Sequence, residues 1–364
     1  MFARSLRCLA MTAFLSAIQA APFAYIANSS SNSVSVVDTA TNTVVATVGV
    51  GSAPIGVAAN AAGTRVYVAN NQDGTVSVID TSSNTVVATI PLNSFASPIG
   101  IAVNPAGTRV YVAANRNYFV YVIDTSSNTV VATVDLGLGV PRGNYGVAVN
   151  PAGTRVYVTN DAVNTVSVID TSSNTVVATI NLFATGGVTF PDGVAVNPAG
   201  TRVYVAGSSV SVIDTSSNTV IATFSAGGIA TVAIAVNPAG TRAYIANLNN
   251  VTVIDTSSNT VVATIGVGAG PTGVSINPAG TRVYVVNAIS NNVSVIDTSS
   301  NTVVATVGVG VNPEGIAIGP GSSSLPQTPA PASLVLTTVG IACLGMYWML
   351  VGRGIGAQPL TRRL

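Results

Sequence analysis

Apolar and polar positions alternate along most of the chain in short runs, and the runs return in the same order. TVSVID (75–80) alternates with period two, which predicts a β-strand with one face turned to a core. Around it, IGVAA (55–59), RVYVA (65–69) and TVVATI (85–90) are equally short and rich in Val, Ile and Thr. They are bounded by the turn strings NAAGT and TSSN. No 3.6-residue apolar stripe runs through these segments, so a helical repeat does not fit. The small residues of the first run suit a strand crowded near a central axis.

The four-run unit recurs seven times. VIDTSSNTVVAT, or a close variant, places its aspartate at Asp38, Asp80, Asp124, Asp170, Asp214, Asp255 and Asp297, at spacings of 41 to 46 residues. NPAGTRVYV, or a variant, places arginines at Arg65, Arg109, Arg155, Arg202, Arg242 and Arg282. A period of about 40–45 residues with four strands per repeat predicts a β-propeller blade. The first copy begins at its second strand, FAYIA (23–27), and the missing first strand appears at the far end as EGIAI (314–318). The expectation is an all-β, seven-bladed propeller over 22–318, its ring closed by pairing of 314–318 with the N-terminal blade, which removes open sheet edges.

The tetrapeptide in each repeat's second run reads YVTN at 157–160, with YIAN (25–28), YVAN (67–70), YVAA (111–114), YVAG (204–207), YIAN (244–247) and YVVN (284–287) elsewhere. This resembles the YVTN family of β-propeller repeats over residues 23–318. The resemblance implies the propeller fold. It also implies kinship with surface-layer and envelope proteins, and similar propellers occur in lactonases and in subunits of quinone-dependent dehydrogenases.

The two ends read differently. MFARSLRCLAMTAFLSAIQA (1–20) has a basic start at Arg4 and Arg7, an apolar stretch and small residues before Pro22, the pattern of a secretory signal peptide. An uncleaved anchor is the alternative. SLVLTTVGIACLGMYWMLV (333–351) is a nineteen-residue uncharged run, long enough for a transmembrane helix. A Pro/Ser linker (319–332) precedes it, and a short tail (352–364) with Arg353, Arg362 and Arg363 follows, which predicts a cytoplasmic C-terminus and an outward-facing propeller. The tail also loosely resembles PEP-CTERM-type sorting signals, although the Pro-Ala-Pro-Ala run at 329–332 lacks the glutamate of that family. A permanent anchor and a processed sorting tail both remain open, so the protein is expected at the periplasmic or cell-surface face of the membrane.

Composition then narrows the chemistry. The chain has no His and no Lys, only 7% charged residues, and both cysteines, Cys8 and Cys343, lie in the end segments. The propeller therefore has no thiol and no Cys/His metal site. Residues 22–321 hold eight arginines against all twelve acids, a balance of −4, which disfavours nucleic acid as a partner. No cofactor and no metal are expected. A Ca²⁺ site of carboxylates and carbonyls stays open in principle, although no loop has a recognisable Ca²⁺ spacing.

Repetition separates scaffold charges from candidate site charges. The pairs Arg65/Asp80, Arg109/Asp124, Arg155/Asp170, Arg202/Asp214, Arg242/Asp255 and Arg282/Asp297 fall opposite one another across a hairpin and are expected to form structural ion pairs. Phe23 takes the arginine's place opposite Asp38. Seven charges are unrepeated: Asp73, Arg116, Asp135, Arg142, Asp161, Asp192 and Glu314. Chain direction puts all of them on one variable face, with the NPAGT and TSSNT turns on the constant one. Phe95, Tyr118, Phe119, Tyr145, Phe183 and Phe190 fall there too. Loops on a rigid scaffold carry binding sites, so the candidate ligand-binding residues are Arg116, Tyr118, Arg142, Tyr145 and Asp192, with Glu314 across the channel mouth.

The leading expectation is an exported, membrane-anchored, non-enzymatic propeller that binds an envelope polymer, a partner protein or its own copies. The alternative is a lactonase-like or dehydrogenase-like enzyme or redox subunit, with Asp192 or Glu314 as the available carboxylate. A spacer with no ligand is the third. No catalytic residue is assigned.

Overall fold

The computed structural model describes residues 22–93, 95–138, 143–183, 189–227 and 231–319, and for Asn144, Tyr145 and Thr231 the backbone alone. The leader expected over 1–20 and the linker, span and tail expected beyond 319 lie outside these residues.

The described chain forms seven four-stranded antiparallel sheets. In the second blade the strands are Pro54–Ala59, Arg65–Asn70, Thr75–Asp80 and Thr85–Pro91, from the axis outward. The first blade has the split origin read from the sequence. Its inner strand is Pro313–Gly319, paired with Phe23–Asn28 through Phe23↔Gly319 and Ala24↔Ile318. The fifth blade departs from the rest, with an inner strand of three residues, Val194–Val196.

Packing runs between blades rather than within them. Tyr25, Val34 and Val36 of the first blade meet Val57, Val66, Val68 and Ile79 of the second. The opposite faces of the second blade's strands, with Tyr67, Val76 and Val78, meet Val110, Val112 and Ile123 of the third. Seven such layers close the circuit, the last joining Tyr284 and Val293 to Ala24 and Ile26. A strand between two neighbours is buried on both faces, so the alternation of TVSVID does not mark a solvent face. Ser77, on its polar phase, is 1% exposed. Its burial is compensated by Asn70 of the tetrapeptide, whose Nδ2 donates to Ser77 Oγ at 2.9 Å and to Thr75 Oγ1 at 2.9 Å. The same arrangement holds Asn28 to Ser35, Asn160 to Ser167 and Asn287 to Ser294. The final Asn of YVTN is thus the partner of the buried serine seven residues on, in the next strand.

Turn chemistry fixes the constant face. The asparagine of every TSSNT turn, Asn84 for example, sits at φ near +50°, a left-handed conformation that Asn tolerates. Each aspartate before that turn is a turn acceptor first. Asp80 Oδ1 takes the Ser82 and Ser83 N–H groups and the Ser82 hydroxyl, and these hold the carboxyl down at about 2, with Arg65 a lesser cause. Five expected ion pairs form: Arg65–Asp80, Arg109–Asp124, Arg155–Asp170, Arg242–Asp255 and Arg282–Asp297. Arg202 and Asp214 do not pair among the described residues. Their backbones are in register, so the difference lies in the arginine side chain rather than in the strand. Phe23 faces Asp38 as expected.

Around the axis the inner strands approach closely. A Cβ on Gly56 would lie 2.1 Å from the Ile99 carbonyl oxygen, and one on Gly315 2.2 Å from that of Ile55. Both are backbone oxygens of packed inner strands, which cannot swing aside as the end of a flexible side chain would. Gly56→Ala should therefore lower the unfolding free energy by about 2 kcal/mol or more, read as a drop in denaturant midpoint. Gly49→Ala, with open space around its Cβ, should not.

The register also locates the chain ends. Phe23 pairs with both Asp38 and Gly319, so the chain enters and leaves the propeller at the end that carries the TSSNT turns. The opposite end carries the hairpin loops and the blade-to-blade connections.

Candidate functional site

At the variable end of each inner strand one residue precedes a small one, which is glycine in six blades and Ala233 in the other. Ile55, Ile99, Asp192, Val232, Thr272 and Glu314 line a cavity of about 500 Å³ there, with the small residues and then Val57, Ile101, Val147, Val194, Ile234, Val274 and Ile316 forming deeper rings. Tyr145 holds the seventh position in the fourth blade's inner strand, Asn144–Val149. Ile55 and Ile99 of blades two and three thus form an aliphatic arc, and Asp192 and Glu314 stand outside it on blades five and one.

Asp192 is held by its backbone. Thr159 Oγ1 donates to the Asp192 carbonyl oxygen at 2.7 Å and accepts from the Gly146 N–H at 2.7 Å, and the Asp192 N–H donates to the Ala206 oxygen at 2.8 Å. Thr159 is completely buried, and the equivalent residues in the other blades are Ala27, Ala69, Ala113, Ala206, Ala246 and Val286. The literal YVTN copy therefore differs from the others at the threonine that pins the acid. Thr159→Val keeps the shape and removes the hydroxyl. Two backbone groups then lose their partner, at about 1–3 kcal/mol, and the change should read as a lower midpoint with an intact fold by circular dichroism.

The carboxylate of Asp192 accepts no hydrogen bond from the described residues. Burial raises its pKa, with Asp161 and then Glu314 adding repulsion, to about 7. Glu314 is also raised by burial, partly offset by Asn312, whose Nδ2 donates to Oε1 at 2.9 Å. Thr272 Oγ1 donates to the Glu314 carbonyl oxygen at 3.0 Å, fixing that strand in turn. Behind Asp192, Asp161 lies in a short 3₁₀ turn, Asp161–Val163, in the fourth blade's hairpin. Its Oδ1 is buried without a partner, and burial raises its pKa.

The predicted site thus divides. The fold brings Asp192 and Glu314 to one opening. Arg116, exposed, and Tyr118, half-buried at φ +55°, stand on the third blade's hairpin and do not line the cavity. Tyr145 has its backbone at the mouth, and Arg142 lies outside the described residues. Phe119 packs edge-to-face on Tyr121 with ring centroids 6.3 Å apart and belongs to the core layer, so it is scaffold. Phe95, Phe183 and Phe190 are exposed. Thr159, Thr272 and Asp161 were not singled out as site residues. The break from Ala at 159 was the available sign, but its meaning needs the partner at 192.

Among the described residues, no cluster of three or more acids, His or Cys is arranged to hold a metal ion.

Solved structures share the architecture. The chain is similar to a structure titled Kuenenia stuttgartiensis hydrazine synthase, at TM-score 0.68 and 23% identity over 80% of this chain and 99% of that one. It is also similar to a functionally unknown protein from Desulfotomaculum acetoxidans DSM 771, at TM-score 0.72 and 20% identity over 82% and 99%. At these identities the likeness concerns the fold alone. No curated protein matches the chain. The YNCE-like beta-propeller family model matches residues 2–320, and the chain belongs to that family.

Proposed function

We propose that this propeller is an exported, membrane-anchored, non-enzymatic binding protein of the cell envelope, which recognises its ligand on the variable face with the axial mouth at its centre. One observation carries the reading: the unrepeated charges that are described, and the exposed phenylalanines, gather at one end of the strands, while the chain enters and leaves at the other. An anchor behind Gly319 would hold the constant face and leave the variable face free. The YVTN-type tetrapeptides, the basic apolar leader and the uncharged run at 333–351 support the same address.

Intact mass and fractionation of the native protein test it. A mass short by about twenty residues, membrane association and cleavage of the propeller by protease added outside the cell support the reading. A soluble cytoplasmic chain of full mass overturns it. Loss of the C-terminal segment as well would replace permanent anchoring by a processed sorting tail.

Catalysis at the mouth is the second reading, favoured by the Asp192 carboxyl, whose pKa near neutrality suits a general base. Asp192→Asn separates the two: an enzyme loses turnover, a binder loses at most affinity.

A further inference from the structure

Two carboxylates face one cavity. Asp192 and Glu314 both line the axial mouth, and among the described residues no arginine stands on its wall. The contrast with the constant face is sharp. There, each aspartate of a TSSNT turn is saturated by two N–H groups and serine hydroxyls, as Asp170 is by Ser172 and Ser173. Asp192 receives no such donor, although its main chain is fastened at both its N–H and its carbonyl. Asp161 Oδ1, buried and unpartnered, adds a second unanswered acceptor behind it. An acceptor placed this firmly at a half-buried opening, with no donor from the described fold, is set to take one from outside it.

The character of that donor follows from the wall. Two facing acids call for positive charge. The described acids do not come together in threes as metal ligands, which suits an ammonium group, since its three N–H donors can be satisfied by one or two carboxylates and a carbonyl or water. Ile55 and Ile99, from adjacent blades, offer an aliphatic arc beside Glu314, Val232 stands on the far side of Asp192, and the cavity of about 500 Å³ continues inward over Val57, Ile101 and Ile234. An alkyl body can lie along that arc while its charged end stays at the mouth.

We propose that the axial mouth binds a primary amine with a slender apolar body, its ammonium group held by Asp192 and Glu314. This rests on the variable face being the recognition face and names the ligand class of that site. The amine end is recognised by charge, the body by burial against the aliphatic arc.

Calorimetric titration of the full-length protein in detergent with hexylamine, hexan-1-ol, hexanoate and calcium chloride tests it. The expected result is saturable binding of hexylamine at neutral pH, on the order of tenfold or more tighter than the neutral alcohol, with no binding of hexanoate. Asp192→Asn and Glu314→Gln should each weaken hexylamine by a similar factor, while Asp135→Asn, an exposed charge on the same face but off the cavity wall, should leave it unchanged. Hexan-1-ol binding as tightly as hexylamine overturns the proposal, because the pocket is then merely apolar. Calcium displacing hexylamine at equimolar concentration overturns it in favour of a metal. Retained amine binding in both carboxylate variants, which the conservative amides keep folded, overturns it as well. An absent amine signal from a protein found outside the cell sinks the amine site and leaves the anchored binding reading standing. Amine binding by a protein found in the cytoplasm does the reverse.

Discussion

At pH 8, Asp192→Asn is expected to stabilise the propeller by about 2–4 kcal/mol, raising the urea midpoint over that of the native chain. In the fold the carboxyl titrates at about 7, because burial, Asp161 and Glu314 all disfavour its charge. In the unfolded chain it titrates near the ordinary value of 3.8. The folded state therefore holds the proton more tightly. Below about pH 4 both states are protonated and there is no penalty. As pH rises through 4 to 7 the unfolded state ionises first, and native stability falls. Above 7 both are ionised, and the cost levels off at its full value. Asparagine cannot ionise, so the advantage of the variant should vanish near pH 4 and be complete at pH 8. A variant less stable than the native chain at pH 8 would mean that Asp192 already has a cationic partner within the protein. The native residue is thus costly to the fold, as site residues often are.

Ending the chain after Asn312 is expected to abolish cooperative folding, whereas ending it after Ser323 should leave the unfolding midpoint where it was. The last strand, Pro313–Gly319, supplies the inner edge of the first blade and packs Ile316 and Ile318 into the layer between blades seven and one. Without it Phe23–Asn28 becomes an unpaired inner edge, and the ring has a gap at the axis. The loss removes a strand's worth of backbone hydrogen bonds and two-sided burial, a cost comparable with the about 5–15 kcal/mol that stabilises a typical domain. The last described strand ends at Gly319, so the longer truncation spares every contact of the described ring. Circular dichroism melts and limited proteolysis distinguish the two. A cooperative melt from the chain ending at Asn312 would show that six and three-quarter blades suffice.

Much of this was legible in the chain because repetition averages away local ambiguity. One copy of TVSVID is merely a possible strand. Seven copies at 41 to 46 residues, with complementary partial blades at the two ends, fix the fold class, the blade count and the closing strand. The hairpin register was legible too, since Arg and Asp stay paired in order even where the hairpin between them is shorter, as at Arg202/Asp214 and Arg242/Asp255. The balance of forces on the repeated aspartates was less so. Opposite charges suggested ion pairs, yet the serine hydroxyls and N–H groups of the following turn do more to hold Asp80, and Arg202 does without its pair. A serine two residues away contributes geometry that charge counting does not register.

The sequence by itself determined the periodic features of this protein: seven four-stranded blades, the closing strand, the constant and variable faces, and Asp192 and Glu314 as the acids just before the inner-strand glycines. Each follows from order along the chain and the two-residue period of a strand, which are local properties. The tertiary structure alone decided which residues meet across blades. It sets Thr159 beneath Asp192 and Asp161 behind it, and leaves Arg116 and Tyr118 off the cavity wall. Residues 159 and 192 are thirty-three positions apart and in different blades. Their contact depends on the angle at which one blade packs on the next, and that angle is set by side-chain packing summed over the whole layer rather than by any single repeat.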